Sequence, residues 1–375
     1  MTRGLVVFGE DWGGHPSSTQ HIVRRLARDR DVVWVNSMGL RRPRVDLKDM
    51  KRVFNKMSGF LSPRSNGIAR ASPPPRMAVI EPRAVSWPGS RVAAVINRSL
   101  VGRQLRVELD KREIRKPILW ASLPSVASVL GEIGESAVVY YCGDDFGALA
   151  GVDHEPVRAM ERVLVERADL ILSASDELAA KFPPRKTVLI PHGVDFELFS
   201  RATERAADLP VGKPIAGFYG AIAEWIDVEM LAAAARRLPD WNFVLIGPIQ
   251  VDASALRRLP NIHMLGPRAH GALPSYSQHW DVSLLPFRRS PQIQACNPLK
   301  LREYLAAGAP IASIDFPALI PYREHVSVAK NADLFADAII RAASERASMA
   351  SLRLRVADES WDVRAKTVSR LLESL

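Results

Sequence analysis

Cysteine is nearly missing: two residues, Cys142 and Cys296, stand far apart in 375 and outside any C-x-x-C spacing. A disulfide framework and a cysteine-rich zinc site are thereby excluded, and a reducing, cytoplasmic setting is expected. No uninterrupted apolar run approaches the ~18 residues of a membrane span. The N-terminal MTRGLVVFGEDWGG passes from a short apolar stretch straight into charge, which is the wrong build for an export signal. The eight histidines form no H-E-x-x-H or similar cluster, so neither a metal nor a bound cofactor is expected. Aromatic residues are only 7%, and no RNP-like, helix-turn-helix or zinc-finger pattern occurs. Nucleic acid is therefore not the expected partner, despite a formal charge of +10.

What is present is ordinary globular material, 47% hydrophobic and 25% charged, enough for two domains at roughly 100–200 residues each. Short Val/Ile/Leu-rich runs alternate with helix-like stretches, the pattern of βα units and parallel sheets. A first series of strands is expected near 4–8, 32–36, 77–80, 117–121, 136–141, 169–173 and 187–190. A second runs through 215–220, 242–247, 261–265, 282–287 and 310–314. The polar stretch 201–213, with no apolar period, reads as a linker. The expected domains are 1–200 and 214–350, with a C-terminal helix over 351–375 that crosses back to the first.

The positive charge is localised. Residues 41–116 hold 19 Lys and Arg against 6 Asp and Glu, and the rest of the chain is slightly acidic. Within that block, Leu47, Met50, Phe54 and Met57 recur at near-helical spacing among lysines and arginines. The stretch reads either as an amphipathic helix resting on an anionic inner membrane face or as an ordinary domain helix with a solvated basic side.

Doubly wound sheets place ligands at the carboxyl ends of their strands, so the loops there carry the chemistry. In CNPLKLREYLAAGAP, 296–310, Asn297 suits an N-cap, Pro298 the first helical position, and Gly308 with Pro310 the stop, and Asn297 and Leu299 are counted among the expected donor-binding residues. Lys300 then opposes the positive end of the helix dipole, a cost of ~0.3–1 kcal/mol that an anionic ligand reverses. Glu303, one turn on, is placed to accept hydrogen bonds from ribose hydroxyls; the plainer alternative is a surface Lys300–Glu303 ion pair. Gly220, Ala221 and Ile222 follow a strand and open a second loop able to admit phosphate or base. Gly13, Gly14 and His15 form a third, too irregular for G-x-G-x-x-G and equally readable as a plain turn before a Ser17-x-x-Gln20 capping box. Asp144 and Asp145 follow the strand ending YYC. Adjacent side chains point apart, so one, Asp144, is the candidate general base and the other a capping or solvated group.

ADLILSASDELAAKF and KTVLIPHGVDFELF within 168–199, with NPLKLREYLAAGAPIAS at 297–313, resemble the signature segments of GT-B glycosyltransferases close to glycosyltransferase family 4. GAIAEWIDVEML, WNFVLIGP and PNIHMLGPRAH are similar to the branch acting in teichuronic-acid and exopolysaccharide assembly. The resemblance runs through most of 130–315 and weakens over 40–120. It implies an α/β GT-B fold, two Rossmann-like parallel-sheet domains facing a central cleft. It further implies a nucleotide-sugar donor, by family habit a UDP-sugar, on the second domain, a glycan or polyprenyl-diphosphate-linked acceptor on the first, and transfer without an obligatory metal. Glu303 matches the second glutamate of the family's E-x7-E motif, which contacts the donor ribose, while Ala295 replaces the first. Around Asp144 the chain is similar to xanthan-type glucuronosyltransferases, whose aspartate there acts as base, which implies an inverting reaction; in a retaining one no such base is needed and Asp144 orients acceptor or donor instead. The rival expectations are a nucleotide-sugar 2-epimerase on the same fold and a sugar-binding pseudoenzyme, the latter encouraged by Ala295.

Overall fold

The computed structural model describes residues 3–14, 17–40, 72–149, 151–344 and 349–375; His15 and the amphipathic stretch 45–57 lie outside the described residues. The chain divides into two compact units, Met1–Ile190 with Ala365–Leu375, and Pro191–Arg364.

The first unit is built on seven strands: β1 (Leu5–Phe8), β2 (Val32–Val35), β3 (Met77–Ile80), β4 (Ile118–Ala121), β5 (Ala137–Cys142), β6 (Leu170–Ser173) and β7 (Thr187–Leu189). All pair in parallel in the order β3-β2-β1-β4-β5-β6-β7, with Leu5 opposite Val32 on one side and Ile118 on the other. The central strands are continuous apolar runs because both faces of a parallel sheet are covered; Leu5, Val6, Val32 and Ile118 are fully buried. The helix Ser18–Leu26 starts where the Ser17 hydroxyl accepts from the Gln20 amide at 3.1 Å. The long helix Arg91–Lys111, capped by Ser90, buries Ala93, Asn97, Val101, Leu105 and Leu109, one face at four-residue spacing. Gly9 is required by packing, since a Cβ there would lie 2.4 Å from the buried Trp34 ring.

The second unit holds β8 (Ile215–Tyr219), β9 (Asn242–Ile246), β10 (Ile262–Met264), β11 (Val282–Leu285), β12 (Ile311–Ile314) and β13 (Val326–Ala329), parallel in the order β10-β9-β8-β11-β12-β13. Five of these six were expected from sequence. The sixth, β13, is a four-residue edge strand with its middle only half-buried, and it follows a proline-bearing 3₁₀ segment, Pro317–His325, so no alternating or long apolar signature marks it.

Two expected boundaries shift. The polar stretch 201–213 is not a free linker: Val194, Phe199 and Leu209 are buried in the second unit's core, and the Gln278 amide donates to the Phe199 and Arg201 carbonyls, 2.7 Å each. The division therefore falls at Ile190, and 191–213 belong to the second unit. The C-terminal stretch is two helices rather than one, Met349–Leu354 and Trp361–Glu373. The break holds Glu359, whose carboxylate gathers Arg302, Arg355 and Arg364. From Ala365 the last helix belongs to the first unit, where Val368 and Leu372 are buried and Arg30 reaches Ser369 at 3.2 Å. Among the described residues no helix is long and apolar enough to cross a membrane.

Candidate functional site

In both sheets the strand order reverses beside the first strand of the series, between β1 and β4 and between β8 and β11. Such a switch point opens a crevice at the carboxyl ends of the strands. In the second unit, β8 ends there at Tyr219, and the helix Leu299–Ala307, which carries the chain from β11 to β12, begins there.

That helix differs from expectation at its first residue. The N-cap is Pro298, which has no side chain to offer. Asn297 stands one residue outside, its oxygen accepting from the Arg302 guanidinium at 2.6 Å; Arg302, a buried cation, needs that acceptor. Leu299 opens the helix, and Gly308 closes it in the left-handed conformation at φ 86°. Lys300 stands in the first turn with its ammonium 5.6 Å from the Phe218 ring and 5.7 Å from the Phe287 ring, a cation–π seat. Burial lowers its pKa, opposed by the charges of Glu303 and Cys296. Gly220 lies directly against it: a Cβ there would be 3.1 Å from Lys300 Cε, and the backbone has φ 135°, so only glycine fits without strain.

Glu303 is not the surface partner of Lys300. Its Oε1 is 2.9 Å from His270 Nε2, and its Oε2 accepts from the Tyr219 hydroxyl at 2.8 Å. The Glu303 side chain is 12% exposed. Burial opposes its ionisation, but the His270 hydrogen bond and charge, the Tyr219 hydroxyl and Lys300 outweigh it, and its pKa is lowered. His270 moves the complementary way, burial working against its charge while Glu303 and Asp195 raise its pKa. Aromatic rings hold both partners: His270 meets Phe199 edge-on at 5.4 Å, and Tyr219 stacks between Phe199 and Trp280. The Tyr219 amide donates to the Tyr304 hydroxyl at 3.2 Å.

The structure brings Gly220, Lys300 and Glu303 together and turns Ile222 away. Ile222 is 1% exposed, with its amide donating to Pro248 and its carbonyl accepting from Gln250, 2.9 Å each; the Gly220 amide is likewise used by Ile246 at 2.8 Å. Ala221 is half-buried at the rim. Beneath the helix, Arg302 also bonds Glu359 at 2.7 Å. Burial, with the charges of Arg302 and Arg364, pushes His192 down to about 3, so it is neutral.

The carboxyl edge of the first unit's sheet is acidic. Asp144 follows β5 on the surface, and its carboxyl is pushed up to about 6 by desolvation, then by the charges of Asp145 and Glu10. Asp145 is engaged, accepting from the Gly147 amide at 3.1 Å and pairing with Lys181. Glu10 is held by Ser17 and by the Gln20 amide. Gly13 donates its amide to the Gln20 oxygen at 3.2 Å and Gly14 to the Asp11 carbonyl at 3.1 Å, so both amides serve the loop itself. Among the described residues no group of three or more His, Cys, Asp or Glu is placed to hold a metal ion.

Both units have counterparts among known proteins. Residues 213–345 match the family model for glycosyl transferases group 1. The matched stretch lies within the second unit, Pro191–Arg364. The chain is 31% identical over 222 residues to a putative teichuronic acid biosynthesis glycosyltransferase, TuaH of Bacillus subtilis (strain 168). That match covers 53% of this chain and 56% of the relative, so the chain spans little more than half the length of the relative it matches. Among solved structures, Anabaena Alr3699/HepE in complex with UDP superposes with a TM-score of 0.68 at 13% identity, over 99% of this chain and 100% of that one. Sucrose-phosphate synthase (tll1590) from Thermosynechococcus elongatus does so with a TM-score of 0.71 at 18% identity, over 99% and 98%. The fold is GT-B, two parallel sheets of seven and six strands.

Sequence reasoning missed His270, Tyr219 and Arg302 around the helix Leu299–Ala307. Tyr219 was findable, as the one residue with a polar tip ending an apolar strand just before a glycine. His270 was not, because it lies 33 residues from the carboxylate it touches.

Proposed function

We propose that this chain is a glycosyltransferase that moves a sugar from a nucleoside-diphosphate donor, a UDP-sugar, to a hydroxyl of a glycan or polyprenyl-diphosphate-linked acceptor in cell-surface polysaccharide assembly. The observation that carries it is Lys300, a partly desolvated cation set in the first turn of Leu299–Ala307 against Gly220. A cation at the positive end of a helix dipole is unfavourable by ~0.3–1 kcal/mol, and a bound diphosphate reverses the sign. The UDP bound by Alr3699/HepE supports the donor class, and the teichuronic acid pathway of TuaH the acceptor class.

In this reading the donor diphosphate lies between Gly220, Ala221 and the free amides at Leu299 and Lys300, with Glu303 accepting from the ribose. Gly13 and Gly14 border the acceptor, and Asp144 is its base. The acceptor hydroxyl gives its proton to Asp144 as its oxygen bonds to the anomeric carbon. The bond from that carbon to the diphosphate oxygen breaks, and its electron pair leaves with the nucleoside diphosphate, whose charge Lys300 and the helix tip stabilise. Product NMR of the new glycosidic bond tests the role of Asp144: inversion supports it as base, and retention makes it a group that orients acceptor or donor. Neither metal nor cofactor enters this scheme.

A thermal-shift panel of UDP-, GDP-, dTDP- and ADP-sugars tests the donor, because a ligand that binds only the native state raises the melting temperature. Turnover is then measured with and without lipid-linked acceptor. Sugar transfer that requires the acceptor supports the proposal. Donor conversion without acceptor makes the protein a 2-epimerase, and binding without any turnover a pseudoenzyme, the reading Ala295 favours. Undiminished turnover in both Lys300→Ala and Glu303→Ala removes the donor site from this helix.

The same proposal places the protein in the cytoplasm, peripherally attached to the inner membrane face. Supporting it, the helix Arg91–Lys111 leaves Val92 and Val95 70% and 67% exposed, with Leu100, Val107 and the preceding Trp87 also open to solvent. Arg91, Arg98, Arg103 and Arg106 stand among them. Vesicle flotation should show binding to anionic lipid that weakens with salt. Equal recovery with neutral vesicles, or none with either, overturns the attachment.

A further inference from the structure

Glu303 has one chemical requirement if it is to read a diol: it must be ionised and held still. An ionised carboxylate is acceptor-only, with two oxygens and about four lone-pair positions. In this structure each oxygen already takes one protein donor, His270 Nε2 at 2.9 Å and the Tyr219 hydroxyl at 2.8 Å. Facing a pure acceptor, His270 Nε2 must carry its proton. Two donors on two different oxygens fix the carboxylate plane as a single donor cannot, and they leave one lone-pair position on each oxygen. Both donors are themselves immobilised, His270 against Phe199 and Tyr219 between Phe199 and Trp280. A pair of adjacent hydroxyls fits a carboxylate so presented, one on each oxygen, and a lone hydroxyl forfeits half of the recognition.

We propose that His270 is the positioning residue of a diol-reading clamp. By pinning Glu303 Oε1 opposite Tyr219 on Oε2, it gives the site its preference for ribonucleoside over 2′-deoxyribonucleoside diphosphates. This deepens the proposed function and rests on Glu303 facing the donor ribose. His270 is a positioning residue because it acts through the carboxylate it touches, Glu303. Its loss frees the carboxylate to rotate and removes one of the three groups that favour its ionised form.

The test is titration calorimetry of the full chain with UDP and with 2′-deoxy-UDP, repeated with ADP and 2′-deoxy-ADP so that the base is not a variable. A hydrogen bond to a charged group corresponds to roughly 10–100-fold in affinity, and the wild type should prefer the ribo form by about that factor. Glu303→Gln should abolish the preference, and His270→Ala should reduce it to within about threefold. His270→Gln, whose amide nitrogen can donate where Nε2 did, should restore most of it. That rescue separates positioning from mere support of the fold, and melting curves of all variants confirm that each is folded. If His270→Ala keeps the full ribo preference while Glu303→Gln loses it, the clamp is wrong and the donor site stands. If the same loss persists in His270→Gln, the donor geometry of His270 is not what matters and the clamp is again overturned. If the wild type itself shows no ribo preference, Glu303 does not read the ribose and both ideas fall.

Discussion

At the carboxyl edge of the second unit's sheet, Glu303 sits between a histidine, a tyrosine hydroxyl and a lysine, and its pKa is lowered. At the corresponding edge of the first, Asp144 stands beside Asp145 and Glu10, and its pKa is raised to about 6. Desolvation by the surrounding protein works to raise both carboxylates, Glu303 as a largely buried side chain and Asp144 as one that is still open to solvent. The neighbours decide the outcome. Donors and cations around Glu303 suit an acid that stays ionised and binds, whereas like charges around Asp144 suit one that takes up a proton near neutral pH. In the proposed function, the same edge of the sheet serves recognition on one unit and proton transfer on the other.

The sharpest way to break that contrast is Asp144→Asn. If Asp144 is the base, sugar transfer should fall by roughly 10²–10⁴-fold, while affinity for UDP, measured separately, should not change. An equal loss of affinity would mean that Asp144 serves the donor instead. The pH profile carries the same information in another form. A carboxyl whose pKa is raised to about 6 is protonated, and useless as a base, below that value. Transfer in the wild type should therefore drop about tenfold per pH unit as pH falls below about 6. The limb should vanish in Asp144→Asn, whose residual rate no longer depends on this group. Glu303, with its pKa lowered, should add no limb of its own in that range.

How much of this was legible beforehand follows the range of the interactions. The sheets were readable because parallel strands buried on both faces must be continuous apolar runs, such as Val32–Val35 or Ile311–Ile314. The edge strand Val326–Ala329 was not, since half-burial erases that mark. Lys300 was readable because a cation in a first helical turn contradicts a local rule. His270 was not, since it is 33 residues from Glu303 and no local rule links the two; Tyr219, 84 residues away, was marked only by its place at a strand end before Gly220. Asn297 was misread for the same reason, because the cap expected from its position was overridden by Arg302, a buried cation that needed an acceptor. The apparent linker 201–213 was polar in composition, yet Phe199 before it and Leu209 within it anchor it in a core.

A gentler change sharpens the comparison without touching either candidate acid. Ser17 does two things at once, capping the helix Ser18–Leu26 through the Gln20 amide and hydrogen-bonding Glu10. Ser17→Ala should cost about 1 kcal/mol from the lost cap, seen as a fall of about 2–4 °C in the melting of a unit this size. Glu10 would then keep the Gln20 side-chain amide but lose the Ser17 hydroxyl that holds it in place. With that charge less firmly placed, the repulsion felt by Asp144 should weaken, and the acid limb of transfer should move slightly below its wild-type position. UDP binding at the second sheet should be unaffected, since none of its donors depends on this helix. A shift of the limb upward would mean that Ser17 had been shielding Asp144 from Glu10, which reverses the sign assigned to that pair.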